Sequence, residues 1–182
     1  MYEKEDQLDL KIFAFFTDHY SPLAVRIFKV LTVFGSTTFL FIAYTLLVVY
    51  LFIRHRNRDA ISAIIISLSS YGILASLKQL ISRPRPLGPL GEILTNYSFP
   101  SGHAVLSFVF YSTVVYFFTK TNKEKKWKWI FGIIVAIFSI AIGISRIILR
   151  YHYASDVVAG FCLAFAWVIF SFYIQRKLKI AR

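Results

Sequence analysis

Three short segments of this chain contain residue types that could carry out a reaction on a phosphate group. They are residues 78–86, 100–103 and 145–156, and each places histidine, basic or small residues at the end of a long apolar run. A charged side chain close to a bilayer is costly, and where one occurs it usually faces a polar cavity, a partner charge or an anionic ligand. Together the three segments predict a phosphate site at a membrane surface.

The first segment supplies two different cations. Lys78 offers a mobile point charge and Arg85 a planar fork, and together they could neutralise and orient a phosphoryl group. Pro84 and Pro86 would end the preceding helix and hold Arg85 in place at low entropic cost. Taken alone, the arrangement is more typical of basic side chains that extend to the membrane interface.

The second segment, Pro100-Ser101-Gly102-His103, comes directly before an apolar run. Ser101 is a good N-cap, Gly102 would let a ligand approach the backbone, and the unpaired amides of a helix start favour an anion. His103 could donate a proton to a leaving oxygen, because histidine titrates near neutrality. By itself the segment is more typical of ordinary helix capping.

The third segment is the most specific of the three. Ser145-Arg146 ends one apolar run, His152 lies in a short turn, and Asp156 follows at the start of the next run. A spacing of four residues on a helix would let the carboxylate orient the imidazole, which is then a competent nucleophile toward phosphorus. The alternative, a His–Asp cap on a tight turn, explains Asp156 but not the presence of Arg146 and the other two segments at the same face.

The elements that must position these segments are membrane helices. The chain of 182 residues is 57% hydrophobic and 16% charged, unlike a soluble domain. Five apolar runs are long enough to cross a bilayer, namely 36–53, 60–80, 103–119, 129–148 and 155–174. We therefore expect an all-α bundle of five to six transmembrane helices, forming one integral-membrane domain over 1–182 with its catalytic core in 36–182.

Composition also bears on other classes of protein. A net charge of +12 could indicate nucleic-acid binding, but basic residues that flank apolar spans are explained by membrane topology. The single Cys162 lies in an apolar run, where we expect a buried small hydrophobe and no intramolecular disulfide. The acidic, mixed start of the chain does not resemble a cleaved signal peptide. Nothing in the sequence indicates an oligomeric state.

The basic residues are unevenly distributed between the connections. Segments 54–58, 120–128 and 175–182 hold twelve of the 21 Lys and Arg residues, and the alternation of spans puts all three on one side. By the positive-inside rule that side is the cytoplasm. The two remaining loops, 81–102 and 149–154, then lie outside, so the predicted site faces the exterior. Five basic residues in or next to these two loops go against the positive-inside distribution, and a local anion would explain their presence. They are Lys78, Arg83, Arg85, Arg146 and Arg150.

The N-terminal stretch 8–34 is apolar but interrupted. It contains Lys11, Asp18, His19, Arg26 and Lys29, with a probable break at Ser21-Pro22. Within 1–35 this pattern favours two amphipathic helices near the interface, and a broken sixth crossing is the alternative.

In combination, the three segments resemble the signature of the type 2 phosphatidic acid phosphatases. That superfamily also includes acid phosphatases and vanadium haloperoxidases. The matching motifs are Lys-x6-Arg-Pro from Lys78, Pro-Ser-Gly-His from Pro100, and Ser-Arg-x5-His-x3-Asp from Ser145. The resemblance implies a phosphohistidine mechanism with His152 as nucleophile, Asp156 as its support and His103 as the acid. It also implies phosphate binding by Lys78, Arg85, Ser101, Gly102 and Arg146, and leaves Arg83 and Arg150 as residues at the headgroup level.

The distribution of carboxylates favours chemistry without a metal or other cofactor. A two-metal phosphatase needs several convergent carboxylates, yet the external loops and helix ends offer only Glu92 and Asp156. Five others lie in the N-terminal stretch and two on the cytoplasmic side, in order Glu3, Glu5, Asp6, Asp9, Asp18, Asp59 and Glu124. The basic cluster would then neutralise the phosphate.

Within the superfamily, the chain looks like the small bacterial phosphatases of the phosphatidylglycerophosphate phosphatase B type. The resemblance implies a lipid substrate, namely phosphatidylglycerophosphate, undecaprenyl diphosphate or both. The compact size and short external loops leave no room for a soluble substrate-binding domain, so we expect the lipid to enter sideways between helices. Phosphatidic acid and other isoprenoid diphosphates are alternative substrates. The chief non-enzymatic alternative is a transporter or lipid-binding protein with an anion site, which would not need two histidines in acid and nucleophile positions.

Overall fold

The computed structural model describes residues 7–19 and 21–177, and every regular element within them is an α-helix. The predicted all-α membrane fold is therefore confirmed. Residues Glu3, Glu5, Asp6, Lys179 and Arg182, used in the arguments above, lie outside the described residues. The helices are α1 Gln7–His19, α2 Pro22–Val33, α3 Thr37–Ile53, α4 Asn57–Ile81, α5 Gly102–Thr119, α6 Lys125–Ile148 and α7 Ala154–Lys177.

Each predicted span corresponds to one of the last five helices. In the described part of the chain, α4 to α7 are long and apolar enough to cross a membrane. With 17 residues, α3 is at the short end of the range for a span. It is bent by 42° from α2, with which it could form one broken span. Ser36 begins α3 by accepting a hydrogen bond from the Phe39 amide at 3.2 Å.

The bundle is organised around α5, which packs against α3, α4, α6 and α7. Gly160 of α7 lets that helix approach α5 closely, because a Cβ added there would lie 3.1 Å from Cβ of Ala104. Small residues at such contacts are typical of membrane helices. Some buried hydroxyls bond to their own helix, as Thr113 does by donating to the carbonyl of Val109 at 2.8 Å.

Large apolar side chains cover the outside of the bundle. Phe41 is 73% exposed and Leu68 is 68% exposed, as expected where lipid tails replace water as the surrounding medium. Cys162 is also exposed on α7, so the prediction that it is buried is wrong. An apolar run in a membrane helix includes the lipid-facing side, and hydropathy does not distinguish that side from the core.

The two N-terminal helices are too short to cross the membrane by themselves. With 13 and 12 residues, α1 and α2 are each roughly 20 Å long or less, against roughly 30 Å of hydrocarbon. Phe13 of α1 packs on Tyr153 with ring centroids 5.7 Å apart, and Thr32 of α2 binds Arg146. Both helices therefore lie against the end of the bundle that contains the third segment. Ser21 caps α2 through the Ala24 amide, and Pro22 begins it.

The bundle has two chemically different ends. At one end, the start of α4 meets the end of α5, where Asp59 binds Arg56 and Lys120, each at 2.7 Å. Because the long helices alternate in direction, the basic start of α6 and the basic end of α7 belong to that same end. All three motif segments lie at the other end.

Candidate functional site

A cavity of about 280 Å³ lies at the motif end of the bundle. Six of the eight predicted site residues line it, and they are Lys78, Arg85, Gly102, His103, Arg146 and His152. Among the described residues the lining includes three cations and no carboxylate, so the cavity favours an anion. Asp156 and Ser101 are fully buried and lie behind this lining.

His152 has its two ring nitrogens in different surroundings. Nε2 lies 3.3 Å from Nη1 of Arg85. Because arginine only donates hydrogen bonds, Nε2 must accept, and the proton is assigned to Nδ1. Nδ1 lies 3.5 Å from Oδ2 of Asp156 and 3.3 Å from Oγ of Ser98. The structure thus brings together the histidine and carboxylate that are four residues apart in the sequence.

The protonation state of His152 follows from its burial, since only 2% of the residue is exposed. Burial lowers the pKa of His152 to about 3, although the hydrogen bond to Asp156 opposes the shift. The imidazole is therefore neutral near pH 7, and the lone pair on Nε2 is available at the cavity.

Asp156 is held by groups that the sequence did not indicate. Its Oδ2 accepts hydrogen bonds from the hydroxyl of Ser98 and, at 3.0 Å, from the amide of Tyr153. Its Oδ1 accepts from Nη1 of Arg83 at 2.7 Å. Ser98 is fully buried between His152 and Asp156, but as a single serine two residues before a recognisable motif it had no distinguishing signal.

Lys78 and Arg85 are held by the loop that connects α4 to α5. Lys78 Nζ donates to the carbonyl of Tyr97 at 2.6 Å. Arg85 Nε donates to the carbonyl of Asn96 at 2.8 Å, and Nη1 donates to the carbonyl of Tyr151 at 2.6 Å. These contacts fix both cations at the cavity before any ligand binds, which reduces the entropic cost of binding one.

Arg146 enters the cavity from the end of α6 and is 4% exposed. Its Nη1 donates to the hydroxyl of Thr32 at 2.8 Å, and its guanidinium lies 4.1 Å from the ring centroid of Tyr151. Within the part of the chain that the structure describes, its Nε is buried without a hydrogen-bond partner. A buried cation with an unused donor beside a cavity is suited to an anionic ligand.

The start of α5 presents its first residues to the same cavity. A Cβ added to Gly102 would lie at ordinary contact distance from Leu74 and Lys78, so packing alone does not require glycine, and its absence of a side chain leaves room in the cavity. His103 hydrogen-bonds to the backbone of Thr32. Gly35 permits this approach, because a Cβ there would lie 3.0 Å from the His103 ring.

Ser101 has a different position from the one expected for a phosphate-binding side chain. Its hydroxyl accepts from the amide of Ala104 at 3.5 Å, and its own amide donates to the carbonyl of Asp156 at 3.1 Å. It therefore caps α5 and joins it to α7 rather than lining the cavity. The same type of residue can serve as an N-cap and as a phosphate ligand, and the phosphate-binding role of Ser101 stays a prediction.

Arg83, expected at the headgroup level, has partners within the protein that the sequence did not indicate. Arg83 bridges two carboxylates, Asp156 at 2.7 Å and Asp9 at 3.0 Å. Burial by itself would lower the pKa of Arg83, but the two carboxylates raise it above its ordinary value. Asp9, assigned to the N-terminal stretch by sequence, thus joins the group around His152.

The described residues, 7–19 and 21–177, contain no group of three or more His, Cys, Asp or Glu side chains suited to a metal ion. The carboxylates of Asp9 and Asp156 are instead occupied by Arg83 and by serine hydroxyls. The donors that line the cavity are cationic, so the arrangement can neutralise an anion through side chains.

A second, more apolar cavity adjoins this one between α3, α4 and α5, and we call it the apolar passage. Thr37, Tyr71 and Leu106 line both the cationic cavity and this second cavity of about 510 Å³. The second cavity is bounded on the outer side by Phe41 and Leu68, which face outward from the bundle. A ligand with a phosphate head and an apolar tail would fit this succession of surfaces.

Comparison with known proteins places the three segments in a family. Residues 57–180 match the PAP2 superfamily. Phosphatidylglycerophosphatase B of Bacillus subtilis (strain 168) is 29% identical over 138 residues, which are 73% of this chain and 66% of that protein. The undecaprenyl-diphosphatase of Sulfolobus acidocaldarius is 38% identical over 76 residues, which are 42% of this chain and 32% of that protein. The chain thus spans slightly less than two thirds of the first relative's length.

The fold agrees with a solved structure of the same family. The crystal structure of a transmembrane PAP2 type phosphatidylglycerolphosphate phosphatase from Bacillus subtilis superposes with a TM-score of 0.88 at 25% identity. The match covers 96% of this chain and 88% of that one. Since the family match spans most of the chain and contains all three motif segments, this chain belongs to the PAP2 superfamily.

Proposed function

We propose that this chain is an integral-membrane lipid phosphatase that works through a phosphohistidine intermediate on His152. The observation that supports this most is the position of the His152 ring. Its Nε2 accepts from Arg85 at the cationic cavity, and its Nδ1 faces Asp156 and Ser98. A neutral imidazole held in this tautomer is a competent nucleophile toward a bound phosphoryl group.

In the first step, Nε2 of His152 attacks the phosphorus of the terminal phosphoryl group. A nitrogen–phosphorus bond forms, the bond from phosphorus to the lipid oxygen breaks, and His103 gives a proton to that oxygen. Asp156 accepts the Nδ1 proton in a hydrogen bond and stabilises the positive charge that develops on the ring. The leaving group is an alcohol for phosphatidylglycerophosphate and a lipid monophosphate for undecaprenyl diphosphate.

In the second step, water attacks the phosphohistidine. The now neutral His103 takes a proton from the water, the nitrogen–phosphorus bond breaks, and inorganic phosphate leaves with His152 restored. The pentacoordinate transition states of both steps carry increased negative charge on the phosphoryl oxygens. Lys78, Arg85, Arg146 and the first amides of α5, next to Gly102, are placed to stabilise that charge before the reaction begins.

A lipid substrate agrees with the apolar passage beside the cationic cavity. The phosphate would bind among Lys78, Arg85 and Arg146, and the tail would lie along Tyr71 and Leu106 toward the lipid-facing surface. The names of the two relatives suggest phosphatidylglycerophosphate and undecaprenyl diphosphate, and phosphatidic acid carries the same phosphomonoester. Three cations provide enough charge for either a monoester or a diphosphate.

Phosphate release by the purified protein tests the proposal. We expect inorganic phosphate from both phosphatidylglycerophosphate and undecaprenyl diphosphate in the presence of EDTA, because the cations that line the cavity replace a metal. Orthovanadate should inhibit, since it imitates the trigonal-bipyramidal transition state. Activity that disappears in EDTA and returns with Mg²⁺ would contradict metal independence. Binding of these lipids without any release of phosphate would instead favour a transporter or lipid-binding protein.

The charge distribution also supports a location for the reaction. The motif end lies opposite the basic end that contains Arg56 and Lys120. From the positive-inside rule we propose that the protein is a multi-pass protein of the cell membrane with its active site outside.

Cysteine labelling in intact cells tests this orientation. Glu92 and Asn122 are both exposed and lie at opposite ends of the bundle. With Cys162 replaced by Ser to remove the native thiol, a Glu92→Cys variant should react with a membrane-impermeant thiol reagent, and an Asn122→Cys variant should react only after cell lysis. The reverse pattern would place the reaction in the cytoplasm.

A further inference from the structure

A buried network connects the N-terminal helix to the histidine and carboxylate of the site. Arg83 donates through Nη1 to Asp156 at 2.7 Å and through Nη2 to Asp9 at 3.0 Å. Its guanidinium also lies 4.1 Å from the ring centroid of Tyr153. The planar fork of arginine can serve two carboxylates at once in this way, which a lysine ammonium does not reproduce.

Asp9 is a second point of attachment between α1 and the site. It is 1% exposed, and it accepts from the amide of Ser155 at 3.0 Å and from the hydroxyl of Ser155 at 2.6 Å. Ser155 immediately precedes Asp156 at the start of α7. Asp9 therefore holds both the cation that binds Asp156 and the backbone that carries it.

The geometry of His152 makes these contacts relevant to the reaction. Nδ1 lies 3.5 Å from the Asp156 carboxylate, at the outer limit of a hydrogen bond, so a small displacement of that carboxylate would weaken the contact. Removing one member of a buried ion-pair network leaves its partners without compensation and free to rearrange. Displacements of about 1 Å in a catalytic arrangement can cost about 10²-fold in rate.

We propose that Asp9 and Arg83 are positioning residues that act in series: Asp9 fixes Arg83, Arg83 fixes Asp156, and Asp156 fixes the Nδ1-protonated tautomer of His152. This inference rests on the proposed role of His152 as nucleophile. By this inference, α1 helps to assemble the active site. This helix lies outside the residues matched to the family.

Kinetics of single and double variants test the order of the chain. With phosphatidylglycerophosphate, Asp9→Asn should lower kcat about 10-fold and Arg83→Gln about 10²-fold, with KM within about twofold, because neither residue lines the cavity. The double variant should be no slower than Arg83→Gln alone, since residues acting in series are not additive. Lys11→Gln, which removes an exposed charge from the same helix, is the matched control and should retain kcat.

A spectroscopic measurement separates this inference from the proposed function. In ¹⁵N-histidine-labelled protein, which contains four histidines, His152 is assigned by the signal missing in His152→Ala. We expect Asp9→Asn, but not Lys11→Gln, to shift the ¹⁵N signals of His152 away from a single Nδ1-protonated tautomer. That shift would support the positioning role even if no lipid phosphate were hydrolysed, in which case only the proposed function would fail.

Three results would overturn the inference. The first is wild-type kcat together with unchanged His152 signals in Asp9→Asn. The second is a double variant that is slower than Arg83→Gln by the full Asp9→Asn factor. If Asp9→Asn does not fold, Arg83→Lys replaces it in the test, because lysine keeps the positive charge but lacks the planar fork of arginine. Wild-type kcat together with wild-type His152 signals in Arg83→Lys would be the third result.

Discussion

Replacing His152 with alanine is expected to abolish turnover of every lipid phosphate, because the nitrogen that forms the bond to phosphorus would be lost. Asp156→Asn and His103→Ala should each lower kcat about 10²-fold or more, the scale of losing positioned acid–base assistance. Rapid quenching of the wild-type enzyme with labelled substrate should trap acid-labile phosphate on His152. Phosphate release by purified variants in detergent measures these effects.

His55→Asn is the matched control for the histidine variants. His55 is exposed at the basic end of the bundle and has a positive φ of 55°, a conformation that asparagine tolerates well. This variant should keep wild-type activity and the trapped phosphate. Substantial turnover by His152→Ala, or labelled phosphate on another residue, would show that the phosphohistidine mechanism is wrong.

The apolar tail of the substrate is expected to have a similarly large effect on activity. Each methylene that moves from water into the apolar passage contributes about 0.8 kcal/mol. A water-soluble phosphomonoester with the same head group but no tail should therefore have a kcat/KM about 10³-fold lower or worse. The passage lined by Tyr71 and Leu106 would account for this difference, since these residues also line the cationic cavity and the passage is bounded by the outward-facing Phe41 and Leu68.

The comparison requires substrates that differ only in the tail. Phosphatidylglycerophosphate and its deacylated head group provide that pair, assayed in the same detergent so that vesicle binding does not enter. Both substrates share the phosphoryl group that the three cations recognise, so the inhibition constant of orthovanadate should be the same with either substrate. Equal efficiency on the two substrates would refute a lipid phosphatase with lateral entry.

Hydropathy and motifs were enough to predict the helical architecture and six of the residues that line the cavity. Hydropathy located the spans because backbone groups in hydrocarbon must be satisfied within each helix, which makes a long apolar run nearly sufficient evidence. The motifs predicted Lys78, Arg85, Gly102, His103, Arg146 and His152, all of which line one cavity. Their spacing was informative because each motif lies at a helix end, where local structure sets the side-chain positions.

The contacts that hold these side chains in position became visible only in the folded structure. Asp9 and Arg83 meet across 74 positions of sequence, and Ser98 reaches Asp156 across 58, so no local pattern could reveal either contact. The folded structure also shows that Ser101 caps a helix and that Cys162 faces outward from the bundle. Hydropathy and motif spacing describe neighbours along the chain, whereas buried ion pairs and the choice between core and lipid-facing sides depend on how helices pack together.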